Sequence, residues 1–218
     1  MSLNEELKAF REESDAETPA DVLKMMQAAQ LELEKLQIAD NAKRTGDKME
    51  PFELPDSTGN KVALADNLKD GPVVISFYRG GWCPYCNMEL NALQRHLPEI
   101  KGLGAQLIAV TPEVPDKSQT TIETNELEFQ VLSDVGNTVA TRLGLVFELA
   151  EELRPIYKEW GIDLTDYNGD EKYELPIPST FVVDTDGTIV YAYHDLDYTS
   201  RMEPEDLLNK LKDLQTQR

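Results

Sequence analysis

The feature of this 218-residue chain best suited to chemistry is a pair of cysteines with two residues between them. Cys83 and Cys86 are its only cysteines, and they stand in the segment Trp82-Cys83-Pro84-Tyr85-Cys86. Residues three positions apart on a helix face the same way, so the two sulfurs can come close enough to form a reversible disulfide. Two cysteines are too few for a disulfide scaffold, and their spacing predicts thiol redox chemistry instead.

The pair is expected at the start of a helix. Residues 72–78 read as a continuous, buried strand, Gly80-Gly81 ends it, and an apolar helical pattern follows. The free N–H groups and partial positive charge at a helix N-terminus favour a thiolate, and thiol pKa values there fall from ~8.5 to about 3.5–7.5. We therefore expect two exposed sulfurs, one attacking and the other resolving the mixed disulfide or sulfenic acid that forms. Pro84 suits the first helical turn, and Trp82 is expected to shield the pair from bulk water.

Two other interpretations of the cysteine pair stay open. A zinc site needs four ligands, and beyond the cysteines only His96, His194 and carboxylates are available. The cysteines could also be inert core residues, although a pair at a strand-to-helix turn is unusual for that role. Redox chemistry is the preferred interpretation, and it implies no metal and no organic cofactor.

The bulk composition restricts the partners. The formal net charge is −20, from 41 acidic against 21 basic side chains, and no Lys/Arg cluster reverses it locally, so nucleic acid is not expected as a partner. The chain starts without the basic segment and apolar run of a secretory signal, and no stretch approaches the ~18 apolar residues of a membrane span. These observations predict a cytoplasmic protein that does not bind membranes.

The first part of the chain, residues 1–45, is predicted to form an arm of two helices. Thr18 is expected to cap the second helix, with Pro19 at its first helical position. An apolar stripe follows at helical spacing, made of Val22, Met26, Ala29, Leu33 and Leu36. Such a stripe packs against another surface, so the arm either covers the flank of its own domain or forms a homodimer.

Residues 46–218 are predicted to form an α/β domain, because short apolar runs alternate with helical patterns. Residues 105–110 and 129–132 read as further strands, and helices between consecutive strands imply parallel pairing. Residues 180–183 and 188–193 form a hairpin around an Asp-Gly turn, which makes the central sheet mixed. Helices are expected over 148–160 and from Glu203 onward, and a loop over 167–170.

Several segments resemble known thiol proteins. Residues 77–86 look like the active-site segment of the thioredoxin-fold suprafamily, and Cys-Pro-Tyr-Cys resembles that of glutaredoxins. The surrounding chain, over roughly residues 46–215, resembles the alkyl hydroperoxide reductase and thiol-specific antioxidant family, the peroxiredoxins. The motifs that carry this resemblance are Pro51-Phe52-Glu53-Leu54-Pro55-Asp56, Leu132-Ser133-Asp134, Leu143-Gly144 and Ser179-Thr180-Phe181-Val182-Val183-Asp184 with Gly187. The resemblance implies a thioredoxin-like fold, a central mixed sheet flanked by helices.

The two resemblances disagree about the first nucleophile. The peroxiredoxin pattern places its peroxidatic cysteine on Cys86, whereas the thioredoxin pattern makes Cys83 the attacking residue. Peroxiredoxins carry Thr or Ser three residues before that cysteine and Pro further back, and here these positions hold Cys83 and Arg79. Their active-site arginine falls on Pro178, where thioredoxins place a cis-proline.

The resemblance also implies supporting residues around the sulfurs. Pro178 and Thr180 belong to a loop that faces the active site in thioredoxin-like proteins, and Pro178 is expected to be cis. Arg79 could restore a positive charge near the thiolate, and Arg201 could do so from the other side, although surface ion pairs explain both equally well or better. Trp82, Pro84 and Tyr85 complete the expected site.

Three functions fit the sequence. The first is a peroxidase that reduces hydroperoxides, with Cys86 attacking, Cys83 resolving, and thioredoxin or a similar dithiol reducing the disulfide. The second is a thiol-disulfide oxidoreductase in which Cys83 attacks a disulfide substrate. The third is a non-catalytic thioredoxin-fold adaptor that binds a partner through its arm and acidic surface. The longer peroxiredoxin resemblance ranks the peroxidase first.

Overall fold

A computed structural model describes residues 1–216 and places a five-stranded mixed sheet at the centre of the chain. The strands are β1 (Glu53–Pro55), β2 (Lys61–Ala63), β3 (Val73–Phe77), β4 (Gln106–Thr111), β5 (Gln130–Ser133), β6 (Val146–Glu148), β7 (Glu174–Pro176), β8 (Ser179–Val183) and β9 (Ile189–His194). The helices are α1 (Leu3–Glu17), α2 (Ala20–Lys35), α3 (Ile38–Asn41), α4 (Leu64–Asp70), α5 (Pro84–Gly102), α6 (Pro115–Thr124), α7 (Thr138–Arg142), α8 (Arg154–Glu159), α9 (Leu164–Asn168) and α10 (Pro204–Thr216). None of these helices is both long and apolar enough to cross a membrane.

The central sheet has the strand order β5-β4-β3-β8-β9. β4 runs parallel to both β3 and β5, which confirms the predicted crossover pairing. β8 runs antiparallel to β3 and to β9, and the predicted hairpin turns at Gly187, whose φ of 83° favours glycine. The thioredoxin-like fold expected from the sequence is confirmed.

Alternation along β3 divides the core between the two faces of the sheet. Val74 packs in a cluster with residues of α1, α5 and α10, whereas Val73 and Ile75 pack in a second cluster with β5 and α7. Both faces of β3 are therefore covered, which explains its continuous apolar sequence. The carboxyl end of β3 leads directly into the loop before α5, so a strand that is buried at every residue positions the cysteines.

The helical arm packs on its own domain, but its predicted cap is wrong. Thr18 is the C-cap of α1, since its N–H and hydroxyl both donate to the Ser14 carbonyl oxygen, and Pro19 is the N-cap of α2. Leu3 and Leu7 of α1 are buried in the same core cluster as α5. α2 has no buried residue, because only one side of it touches the domain.

The helix predicted over 148–160 starts later than expected and is divided into two short helical segments. β6 ends at Glu148, a short 3-10 turn follows over Glu151–Leu153, and α8 begins at Arg154 with Pro155 in its first turn. Proline fits the first turn of a helix but not its interior, so it marks a new start rather than a continuation. The loop expected over 167–170 contains the end of α9, which stops at Gly169 in the left-handed conformation, φ 72°.

Candidate active site

Both cysteine sulfurs lie at the start of α5 and are sealed from solvent. Cys83 is the N-cap of α5, the exposed Pro84 occupies the first turn, and Cys86 follows within that turn. Each cysteine is 0% exposed, and the two thiols are free rather than joined in a disulfide. The expectation that the sulfurs are exposed is therefore wrong, because the helical arm and an aromatic layer lie over the loop. The two thiols are close enough for the ionisation of one to affect the pKa of the other.

The loop before α5 is fixed by close packing at two glycines. A Cβ atom on Gly81 would lie 2.0 Å from Oγ1 of Thr121, and one on Gly80 would lie 2.2 Å from Nε1 of Trp82. Beneath the loop, the buried Glu113 accepts the Gly81 N–H with both carboxylate oxygens at 3.0 Å. Burial raises the pKa of Glu113 to about 7. These contacts hold the backbone that places Cys83.

Arg79 lies against the Cys83 sulfur. Its Nη2 donates to Cys83 Sγ at 3.2 Å, and its Nη1 donates to the Tyr157 hydroxyl at 3.3 Å. The guanidinium carbon is 4.1 Å from the centre of the Tyr198 ring and 4.9 Å from that of Trp82, so two aromatic faces stabilise the cation. Arg79 has no carboxylate partner among the described residues.

Arg201 lies against the second sulfur and has many more partners. Its Nη2 donates to Cys86 Sγ at 3.4 Å, and its Nε donates to Glu89 at 2.6 Å. Its Nη1 donates to the Ser200 carbonyl oxygen at 2.8 Å and to that of Tyr198. Arg201 is thus a buried cation with a carboxylate counter-ion and two carbonyl acceptors, rather than a member of a surface ion pair.

The surroundings give the two thiols opposite acidities. Burial opposes ionisation of Cys83, but the adjacent Cys86 thiol and the charges of Arg79 and Arg201 outweigh it, and the pKa of Cys83 falls well below its ordinary value. Burial raises the pKa of Cys86, and the adjacent Cys83 charge raises it further. The site therefore favours a thiolate on Cys83 and a neutral thiol on Cys86.

Aromatic rings form a layer over the sulfurs. Tyr85 packs edge-on against Tyr198 and against Phe10 of α1, with ring centres 5.5 Å and 5.2 Å apart. Trp82 packs edge-on against Tyr157 at 5.7 Å. Edge-on pairs of this kind are favourable arrangements for aromatic rings. Trp82 and Tyr85 thus take the shielding positions that the sequence suggested for Trp82 alone.

Pro178 and Thr180 lie near the site, but not as expected. The Ile177–Pro178 peptide is trans, as are all peptide bonds among residues 1–216. The chain runs extended from β7 into β8, and a trans bond preserves that path. Pro178 is buried and lines a cavity with Arg79, whereas Thr180 donates a 3.5 Å hydrogen bond to Glu89.

Sequence reasoning missed three residues of this site. Glu89 could have been predicted, because it follows Cys86 by three positions and therefore lies on the same face of the helix. No sequence pattern indicates Tyr157 or Tyr198, because only the tertiary fold brings α8 and the loop after β9 close to the sulfurs. These three residues make the surroundings of the two arginines different, since Glu89 binds Arg201 whereas Tyr157 and Tyr198 contact Arg79.

A thioredoxin-like sheet carrying a Cys-x-x-Cys at the β3–α5 junction defines a thioredoxin-fold thiol redox protein. Residues 45–192 match the AhpC/TSA family model, and the chain belongs to that family. Peroxiredoxin Bcp of Escherichia coli K12 is 25% identical over 173 residues, covering 79% of this chain and 98% of the relative. The crystal structure of peroxidoxin BcpB from Mycobacterium tuberculosis has 25% identity and a TM-score of 0.62, covering 78% of this chain and 97% of that one.

A third comparison supports the fold alone. The bacterioferritin comigratory protein of Xanthomonas campestris, studied for its alkyl peroxide reduction, has 17% identity and a TM-score of 0.57 and covers 80% of this chain and 98% of that one. Together with the family membership, the cysteine site makes this chain a peroxiredoxin-like thiol peroxidase.

Proposed function

We propose that this enzyme reduces hydroperoxides with Cys83 as the attacking residue and Cys86 as the resolving residue. The observation that carries the assignment is the 3.2 Å contact of Arg79 with the Cys83 sulfur, made by a cation with no carboxylate counter-ion among the described residues. An uncompensated cation beside a buried sulfur stabilises the thiolate, which is the nucleophilic form.

The first step transfers one oxygen atom. The Cys83 thiolate attacks the terminal oxygen of the hydroperoxide, an S–O bond forms, the O–O bond breaks, and the alcohol leaves after taking up a proton. Sulfur is oxidised to sulfenic acid and the peroxide is reduced. The Nε–H of Arg79 has no partner among the described residues and can donate to a peroxide oxygen.

The second step uses the change of charge at Cys83. Once Cys83 is a neutral sulfenic acid, the negative charge that raises the pKa of Cys86 is gone, while Arg201 still lowers it. The Cys86 sulfur then loses its proton, attacks the sulfenic sulfur and forms the disulfide, and water leaves. A dithiol of the thioredoxin type supplies the two electrons that restore both thiols.

The reverse assignment, with Cys86 attacking, follows from the peroxiredoxin pattern but has weaker support. The charge of Arg201 is largely taken up by Glu89 at 2.6 Å and by two carbonyl oxygens. Burial and the adjacent Cys83 also raise the pKa of Cys86. Both effects favour the thiol form of Cys86, which is the form a resolving residue has before the peroxide reacts.

Thiol-disulfide exchange is a second candidate, because it requires the same Cys83 thiolate. A protein disulfide would have to reach a sulfur that is 0% exposed. The turn between α1 and α2, with Thr18 and Pro19, lines the same cavity as Trp82 and Pro84. A folded protein substrate would meet this turn before Cys83, so the geometry favours a hydroperoxide over a protein disulfide as oxidant.

The test compares Cys83→Ser with Cys86→Ser. Cys86→Ser should form a sulfenic acid on Cys83 with one equivalent of hydroperoxide, trapped by dimedone and located by mass spectrometry. Cys83→Ser should consume hydroperoxide no faster than a variant in which both cysteines are replaced by serine. A sulfenic acid on Cys86 in the Cys83→Ser protein would reverse the proposed order, and rapid exchange with a protein disulfide but not with peroxide would favour the second candidate.

We also propose a cellular location and an oligomeric state for the enzyme. A cytoplasmic location fits a chain with two free, redox-active cysteines and no disulfide scaffold. A homodimer through the arm is supported by Leu31 of α2 and by Leu36 at its C-cap, which are 58% and 62% exposed. Sedimentation of the full chain, beside a variant with glutamate at both positions, tests the dimer.

A further inference from the structure

A cavity of about 270 Å³ lies next to Arg79, between α2 and the segment that runs from β6 through the 3-10 turn. Its walls are mainly apolar, with Met26, Ala29 and Leu33 from α2 and Phe147, Leu149 and Leu153 from the facing segment. A water molecule occupies about 30 Å³ of the liquid, so this space far exceeds what hydrogen peroxide needs.

Arg79 connects the cavity to the reactive centre. Arg79 is the only positively charged residue in the lining among the described residues, and it touches the Cys83 sulfur at 3.2 Å. Arg79 is 4% exposed, and its Nε has no hydrogen-bond partner in the described part of the chain. A buried donor without a partner, in the lining of an apolar cavity, suits a ligand with one polar end and one apolar end.

Part of the apolar surface of the α2 wall remains exposed. No residue of α2 is buried, although Met26 and Ala29 already pack partly against Leu149 and Leu153. Leu36, which also lines the cavity, is 62% exposed. An apolar group lying along α2 would cover this surface, and no other part of the described chain does so.

We propose that α2 is the specificity-determining element of the enzyme, which favours hydroperoxides with a bulky apolar group over hydrogen peroxide. The inference rests on the proposed function, since it places the O–O bond of the substrate at the Cys83 sulfur, beside Arg79. The arm thereby adds a substrate wall from outside residues 45–192, the part that matches the family model. Each methylene buried against α2 should raise kcat/KM by about fourfold, a gain that hydrogen peroxide cannot obtain.

The test fills the cavity from α2 and measures one half-reaction. Reduced Ala29→Phe protein is mixed with hydrogen peroxide or with cumene hydroperoxide, and oxidation is followed by tryptophan fluorescence, since Trp82 lies beside Cys83. Ala28→Phe is the matched control, because Ala28 is exposed on the same helix and lines no cavity near Arg79. Because single-turnover rates report only the oxidation of the reduced protein, the reductant does not affect them.

The expected result is a selective loss. Ala29→Phe should slow oxidation by cumene hydroperoxide about tenfold and change the rate with hydrogen peroxide by less than about twofold, while Ala28→Phe changes neither. Equal effects on both peroxides, or no effect, would overturn the inference. The inference would also be overturned if Ala29→Phe slowed only the re-reduction by dithiothreitol, because the cavity would then bind the reducing thiol. A wild-type protein that neither peroxide oxidises would instead refute the proposed function itself.

Discussion

The two arginine–sulfur contacts of this enzyme look alike but differ in what else each arginine touches. Arg79 lies 3.2 Å from Cys83 and Arg201 lies 3.4 Å from Cys86, and both arginines are almost fully buried. Arg201 also binds the Glu89 carboxylate and two carbonyl oxygens, whereas Arg79 has two aromatic faces and one phenol. Only Arg79 therefore presents an uncompensated charge to its sulfur.

This difference shows that proximity to a cation does not by itself identify a reactive cysteine. A buried ion pair at 2.6 Å directs most of the field of the cation to its own counter-ion. Aromatic faces hold a guanidinium in place without neutralising its formal charge. We therefore propose that Arg201 has a mainly structural role and that Arg79 activates the thiolate, with the aromatic rings of Trp82 and Tyr198 stabilising the buried cation.

The largest expected effect comes from making Arg201 resemble Arg79. Glu89→Gln removes the counter-ion but keeps the side-chain volume, and an unpaired buried cation should lower the free energy of unfolding by about 3–5 kcal/mol in urea denaturation. The released charge should also lower the pKa of Cys86, measured by thiolate absorbance in a Cys83→Ser background.

Glu99→Gln is the control for this change. Glu99 lies on the same helix, α5, but is exposed, so its substitution should alter the free energy of unfolding by less than about 0.5 kcal/mol. If Glu89→Gln left both the stability and the Cys86 titration unchanged, the compensation of Arg201 by Glu89 would not explain the contrast between the two sulfurs.

Removing the other arginine should mainly affect the reaction. Arg79→Met deletes the charge beside Cys83, so the thiol pKa should rise and the rate of oxidation by hydroperoxide should fall about 10²–10³-fold at neutral pH. Arg79→Lys keeps a charge but loses the planar contacts with the rings and should lie between wild type and Arg79→Met. Thermal denaturation distinguishes loss of activation from loss of folding. A full rate in a folded Arg79→Met protein would contradict the proposed role.

Much of this architecture could be predicted from local sequence patterns. The runs that became β3, β4, β5, β8 and β9 are short, apolar and separated by turn residues, so the mixed sheet follows from them. The place of Cys83 and Cys86 at the start of α5 follows from Gly80-Gly81 and Pro84. Arg79 could also be predicted as a candidate site residue, because it stands four residues before Cys83 in the chain.

The charge balance of the site could not be predicted in this way. Arg201 is 115 residues from Cys86, and its position depends on the loop after β9. The hydrogen bond of Tyr157 to Arg79 likewise depends on how α8 packs. The burial of the sulfurs escaped prediction for the same reason, since α1 and α2 fold back over a motif about 65 residues away along the chain. Long-range packing therefore determines which charged and polar groups surround each thiol.

The smallest expected effect is a difference in how the two thiols couple stability to pH. Cys83 has a lowered pKa in the folded reduced protein, so its contribution is fully present above the ordinary thiol pKa of ~8.5 and is lost as pH falls through the folded value. Cys86 has a raised pKa, so its contribution is present below ~8.5 and is lost as pH rises toward the folded value.

Urea unfolding of reduced protein across pH separates these two contributions. Cys83→Ser should remove the loss of stability on the acid side, and Cys86→Ser should remove the loss on the alkaline side, with about 1.4 kcal/mol for each unit of pKa difference. The two variants should therefore tilt the pH profile in opposite directions. A tilt in the same direction for both would mean that the two sulfurs share one environment, and the unequal partners of Arg79 and Arg201 would then have no effect on acidity.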